Sequence, residues 1–277
     1  MVLEPEDFAI VLGEESPPSD LVDKDTWYGI MTLPDDVSIR TSNHHGDLLK
    51  MLYELWGAWI EAIGEPVDIA DEDQLYSTIA DAADEFQAAT FNSLHGYYRQ
   101  SISCLRNALE LTAIGTYCQV CGKAAKYKQW RAGQITISFG KACYKLGQVA
   151  SVQQLESHLR NSPNDSIFSQ KTGTYPGGWA RRLYSQLSNY SHSRPGFTDF
   201  DMWDSTGPIY EPKAFIQATQ LYLETSMLCF TLEKLGRPDF ILPQPALQLY
   251  ESERVHPTGI ARAAYEYLFA NDSNDGP

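Results

Sequence analysis

From His44 onward the chain repeats apolar residues at intervals of three and four, the spacing of one face of an α-helix. Leu48, Leu49, Leu52, Leu55, Trp56, Trp59 and Ile63 form the first stripe, and Gly64-Glu65-Pro66 supplies a stop. Asp71 to Thr90 repeats the pattern with Leu75, Ile79, Ala82, Ala83 and Phe86. Leu94 to Val120 differs, because apolar side chains occupy nearly every face with neither proline nor a run of charge, which predicts a helix surrounded by others. Cys121-Gly122 closes it. Shorter helices are predicted over Ile135 to Leu146 and Val152 to Leu159, then a polar loop over Asn161 to Gly178. Helix resumes at Trp179 and stops before Arg194-Pro195-Gly196, and two more follow, Lys213 to Leu235 and Pro257 to Ala270. The expected fold is all-α, a multi-helix bundle around a central buried helix. No fixed period recurs, so a solenoid is not expected.

Residues 1–42 break the pattern. They are acidic, contain Ser16-Pro17-Pro18-Ser19, and show only short β-like pieces at Phe8 to Leu12, Trp27 to Leu33 and Val37 to Arg40. The expected organisation is an irregular acidic arm over 1–42, with a small hairpin at most, a helical domain over 43–270 and a disordered tail over 271–277.

Composition narrows the class. The 277 residues are 43% hydrophobic, which is globular rather than disordered, and a chain of this length buries about 75% of its unfolded surface without needing metals or disulfides. The opening Met1 to Asp7 has early acids and no basic stretch, and no apolar run approaches the ~20 residues that cross a bilayer. Five cysteines, an odd number, point to reduced thiols. A cytoplasmic location without membrane association is expected.

Charge is uneven. With 36 acidic and 21 basic side chains the net charge is −15. Yet Leu111 to Phe197 holds eleven basic residues, among them Lys123, Lys126, Lys128, Arg131, Lys171, Arg181 and Arg182, against only Glu156 and Asp165. Tyr127, Trp130, Phe139 and Tyr144 are interleaved with them, and cations beside exposed rings suit a single-stranded nucleic acid. RNA or another polyanion is therefore one expected partner. The competing expectation is that the basic segment packs against the acidic arm, a protein partner or a second subunit, since the whole-molecule field repels phosphate. Lys171 to Gly178 runs into a helix beginning with Arg181 and Arg182, so free N–H groups at that helix start could hold a phosphate, although an ordinary turn is the plainer expectation.

Cys118-Gln119-Val120-Cys121 has half the spacing of a zinc ribbon, but no second pair accompanies it, so no metal and no cofactor are expected. On the predicted central helix Arg99, Ser103, Arg106, Glu110 and Tyr117 flank the stripe Ile102, Leu105, Leu109 and Ala113. On the later helix Trp179, Leu183, Leu187 and Tyr190 are apolar, while Arg181, Ser185, Ser188 and His192 line another face. If the two polar rows meet, Arg106, Glu110 and His192 form a charged cluster, either a brace that fixes helix register or a catalytic trio.

The pairing of Arg106, Asn107 and Glu110 with Leu187, Ser188, Ser191 and His192 resembles bacterial helical domains of the HEPN and abortive-infection type over about residues 90–235. That resemblance implies a helical bundle from a toxin–antitoxin or phage-defence system, many of whose members are metal-independent RNases. The family's signature, an Arg followed after four to six positions by His, is missing after Arg106 and Arg182. Arg40 and His45 satisfy the spacing but precede the first predicted helix, so the catalytic role is not carried over to them. Two expectations result: a binding or regulatory protein with a basic central surface, or a metal-independent RNase.

Overall fold

The computed structural model describes residues 22–64, 74–159, 166–170, 172, 177–191, 208–251 and 259–269. It is an all-α, multi-helix bundle with no β-strand among the described residues. In chain order the helices are α1 (Lys24–Trp27), followed by a π-helical turn (Tyr28–Thr32), α2 (Leu33–Ile63), α3 (Gln74–Leu94), α4 (Tyr98–Val120), α5 (Ala124–Arg131), α6 (Phe139–Leu146), α7 (Ala150–Leu159), α8 (Trp179–Ser191), α9 (Pro212–Gly236), α10 (Gln244–Glu251) and α11 (Gly259–Leu268).

Helix α4 packs against α3, α5, α6, α8 and α9. Residues Thr112 to Cys118 are buried all the way round it, which is why its sequence shows no polar face there. The core beside it is aromatic. Trp59 of α2 stacks on Phe230 of α9 with centroids 4.0 Å apart and on Phe86 of α3 at 4.8 Å, and Phe86 meets Tyr222 edge-on at 5.0 Å. Arg237, just past α9, pairs with the fully buried Glu233 at 3.0 Å and donates to the Ala62 carbonyl, which ties α9 to the end of α2.

The structure corrects three sequence expectations. Trp27 to Leu33 and Val37 to Arg40 are helical rather than β-like. Local signals account for it: Asp23 caps α1 by accepting from the Thr26 N–H at 2.9 Å, while Pro34, Asp35 and Asp36 occupy the first turn of α2, where proline and acids suit a helix start. The expected arm is therefore helical from Lys24, and its earlier part, including Phe8 to Leu12, lies outside the described residues. Second, the helix expected over Leu94 to Val120 is interrupted at His95–Tyr97. Gly96 takes φ +80°, Tyr97 N–H donates to the Asn92 carbonyl at 2.8 Å, and Gly96 N–H donates to the Ser93 carbonyl at 3.2 Å, the paired bonds of a Schellman stop. A Cβ at this position would also collide with the Ile209 backbone. Third, α5 and α10 are short helices that the apolar period did not reveal, and α6 begins only at Phe139, where Ser138 caps it.

Candidate functional site

Helices α6 and α8 both lie against α4, and the two polar rows expected on α4 and α8 meet. Arg106 Nε donates to Ser188 Oγ at 3.1 Å, and its Nη2 donates to the Tyr184 hydroxyl at 2.6 Å. The same hydroxyl donates to Glu110 Oε2 at 3.0 Å, while Arg106 and Glu110 stand 3.6 Å apart one helical turn from each other. Tyr184 is thus the hub between the two charges. Burial pushes its phenol pKa upward, the nearby Glu110 carboxylate adds to the rise, and Arg106 opposes it. Its ring stacks on Phe139 of α6 at 4.1 Å and 7°, joining α8 to α6.

Arg106 and Glu110, two members of the expected cluster, are brought together through Tyr184. Tyr184 was not among the candidates, although its place between Arg181 and Ser188 on one helical face was readable. The side chains of Arg106 and Glu110 retain 26% and 30% exposure, so the pair is only partly desolvated. His192 lies outside the described residues.

Beside this brace a cavity of about 310 Å³ opens between α6 and α8. Phe139, Tyr184 and Phe168 provide its rings, and Arg181, Gln170, Ser185, Ser188 and Asn189 provide its polar groups. No carboxylate and no imidazole among the described residues lines it. Cys143 does, but burial pushes its thiol up to about 12 despite the opposing Arg181, so the sulfur is a packed thiol at neutral pH rather than a nucleophile.

The approach to α8 shows how Arg181 is placed. Gly178, Trp179 and Ala180 N–H groups donate to the carbonyls of Ser169, Ser166 and Ile167 at 2.8, 2.8 and 3.0 Å. These first helical donors are already used and so are not free for the phosphate expected at the start of α8, whose preceding loop lies largely outside the described residues. Instead Gly177, at φ +100°, lets the Arg181 stem pass close: a Cβ there would lie 2.9 Å from Arg181 Cδ. Arg182 turns the other way and donates to the Gly177 carbonyl at 2.8 Å. Trp179 Nε1 donates to Glu224 Oε1 at 2.9 Å, anchoring α8 to α9.

The remaining basic candidates disperse. Arg131 on α5 pairs with Asp81 of α3. Lys123, Lys126 and Lys128 are exposed on and before α5, and Lys171 lies outside the described residues. Of the interleaved rings, Tyr127 and Phe139 are buried in the core, Trp130 is half-buried and Tyr144 is exposed, so the expected row of open stacking rings is not formed. Arg40 pairs with Asp36 at 3.0 Å, whereas His45 sits at a kink of α2 and stacks on Phe215 at 4.9 Å, so the two residues at HEPN-like spacing make separate contacts. His95 and His158 lie in tilted contact with the rings of Phe91 and Tyr267. Burial raises Cys118 to about 11 and also raises Cys121, and no three His, Cys, Asp or Glu side chains among the described residues gather as a metal site requires. No helix among the described residues is long and apolar enough to cross a membrane.

No protein-family model, curated protein or solved structure matches the chain.

Proposed function

We propose that the protein is a binding protein whose α6–α8 cavity takes an anionic, phosphate-bearing ligand of nucleotide size. The observation that carries this reading is the cavity's polarity: one guanidinium, that of Arg181, surrounded by neutral amide and hydroxyl groups, with no acid in the described lining. In a chain of net charge −15 such a pocket is a local exception to the molecular field. Its volume suits a small ligand rather than a strand, and the half-buried Tyr184 ring, held by its stack on Phe139, lines the wall beside the ligand. The Arg106–Tyr184–Glu110–Ser188 network acts as a brace that holds this wall. In this reading the chain is a cytoplasmic binding or regulatory component of a bacterial defence-type system, the class implied by its resemblance to HEPN and abortive-infection domains, and an RNA end presents the same phosphate chemistry as a nucleotide.

Calorimetric titration with AMP and with a short single-stranded RNA tests it. Binding that weakens with salt and falls about tenfold or more in Arg181→Gln, the size expected for one charge-assisted contact, supports the reading. Absence of binding by the wild type, or full binding by the variant, refutes it. Cleavage of the RNA without added metal, abolished by Arg106→Ala and His192→Ala, would replace it with the metal-independent RNase that the same resemblance implies.

A further inference from the structure

A second cavity, of about 410 Å³, lies on the other side of Phe168 and Gln170, between the end of α6 and α7. Its chemistry is the reverse of the first. Glu156 of α7 lines it, together with Gln148, Gln153, Ser157 and Ser169, and the Tyr144 ring stands at its rim. Glu156 is only 5% exposed. Its Oε1 is held by the N–H groups of Ile167 and Phe168 at 3.0 and 2.7 Å, which fixes the carboxylate in place. Its Oε2 is buried and has no hydrogen-bond partner among the described residues. A desolvated carboxylate with an unused oxygen is unfavourable, and because Glu156 lines the cavity a cation bound there offsets that cost.

We propose that this cavity is a binding site for a primary alkylammonium group, with Glu156 as its counter-ion and Tyr144 as an aromatic face for the cation. Three features select an organic amine. The other polar lining groups are glutamine amides and serine hydroxyls, whose oxygens can accept the remaining ammonium protons. Phe168 and Tyr144 offer apolar surface to an alkyl stem. The single carboxylate among the described lining residues is too few anionic ligands for the oxygen-rich shell that a divalent metal takes. Lys145 Nζ already stands 5.6 Å from the Tyr144 ring centroid, so this ring accepts a cation within the protein's own structure. The site is distinct from the anion pocket and does not depend on it.

The test is calorimetry and ligand-observed NMR with butylammonium chloride on the full chain at fixed ionic strength, with n-butanol as the uncharged control. The expected result is saturable binding of the ammonium and none of the alcohol. Glu156→Gln should weaken binding about tenfold or more, since the glutamine keeps an acceptor for the Ile167 and Phe168 N–H groups but loses the charge. Tyr144→Leu, an exposed substitution that leaves the carboxylate clamp intact, should weaken it several-fold and decides the matter if Glu156→Gln does not fold. Lack of ammonium binding by the wild type, equal binding of the alcohol, or wild-type affinity in every variant that folds would overturn the proposal.

Discussion

Replacing Tyr184 with phenylalanine removes one oxygen and leaves the ring that stacks on Phe139 at 4.1 Å. That oxygen makes two bonds to charged groups, accepting from Arg106 at 2.6 Å and donating to Glu110 at 3.0 Å. Fully desolvated, each would contribute about 1.5–3 kcal/mol. Two facts lower that figure. Both charged side chains keep more than a quarter of their exposure, so water replaces part of the lost bonding. They also stand 3.6 Å apart, so the pair can close directly and recover the ~0–1 kcal/mol of a solvent-screened ion pair. The expected net cost is about 1 kcal/mol, or a fall in Tm of roughly 2–4 °C in a protein of this size. Urea titrations of Tyr184→Phe, Glu110→Gln and the double variant measure it, and the coupling should be about 0.5–1.5 kcal/mol because the residues share one bond. A coupling of zero would mean that the hydroxyl does not bridge them. A loss of about 3–5 kcal/mol from Tyr184→Phe alone would instead indicate a fully desolvated charge left unpaired, against the observed exposure.

Trp59→Ala should cost about 3–5 kcal/mol by thermal or urea unfolding, since a fully buried ring stacked on both Phe86 and Phe230 leaves a cavity that neighbouring helices cannot fill; a loss under ~1 kcal/mol would show that the aromatic stack is not tightly packed. Alkali should destabilise the fold. Burial raises Cys104, Cys143 and Cys229 to about 12, Cys118 to about 11 and the Tyr98 phenol to about 12, so the folded state retains protons that the unfolded chain loses from about pH 9 for thiols and 10 for phenols. The stability from these groups is whole below about pH 9 and is lost as pH rises through 11 and 12. In reductant, Tm at about pH 10.5 should lie clearly below that at pH 7.5, and equal values would contradict the assigned burial.

The helical class and the core stripes are set by local pattern. An apolar period of three and four can be buried on one side only as a helix, and the stripe residues Ile102, Leu105 and Leu109, like Leu183 and Leu187, are all buried in the bundle. The same periodicity placed Arg106 and Ser188 on rows that meet at 3.1 Å. Short helices, such as the capped one before Leu33 and the one that follows the turn at Gly122, carry too few apolar residues to show a period, so the β-like alternation of Trp27 to Leu33 does not mark the helix that forms there. Which ring is core and which is surface is a matter of neighbours: Tyr127 and Phe139 are buried because α4 and α8 lie over them, a fact that no spacing within their own segment contains. The cavities are likewise tertiary. Gln170, Phe168 and Glu156 join them only because the backbone at 166–169 turns onto the start of α8 and its N–H groups onto a carboxylate of α7, contacts between segments that the chain itself keeps apart.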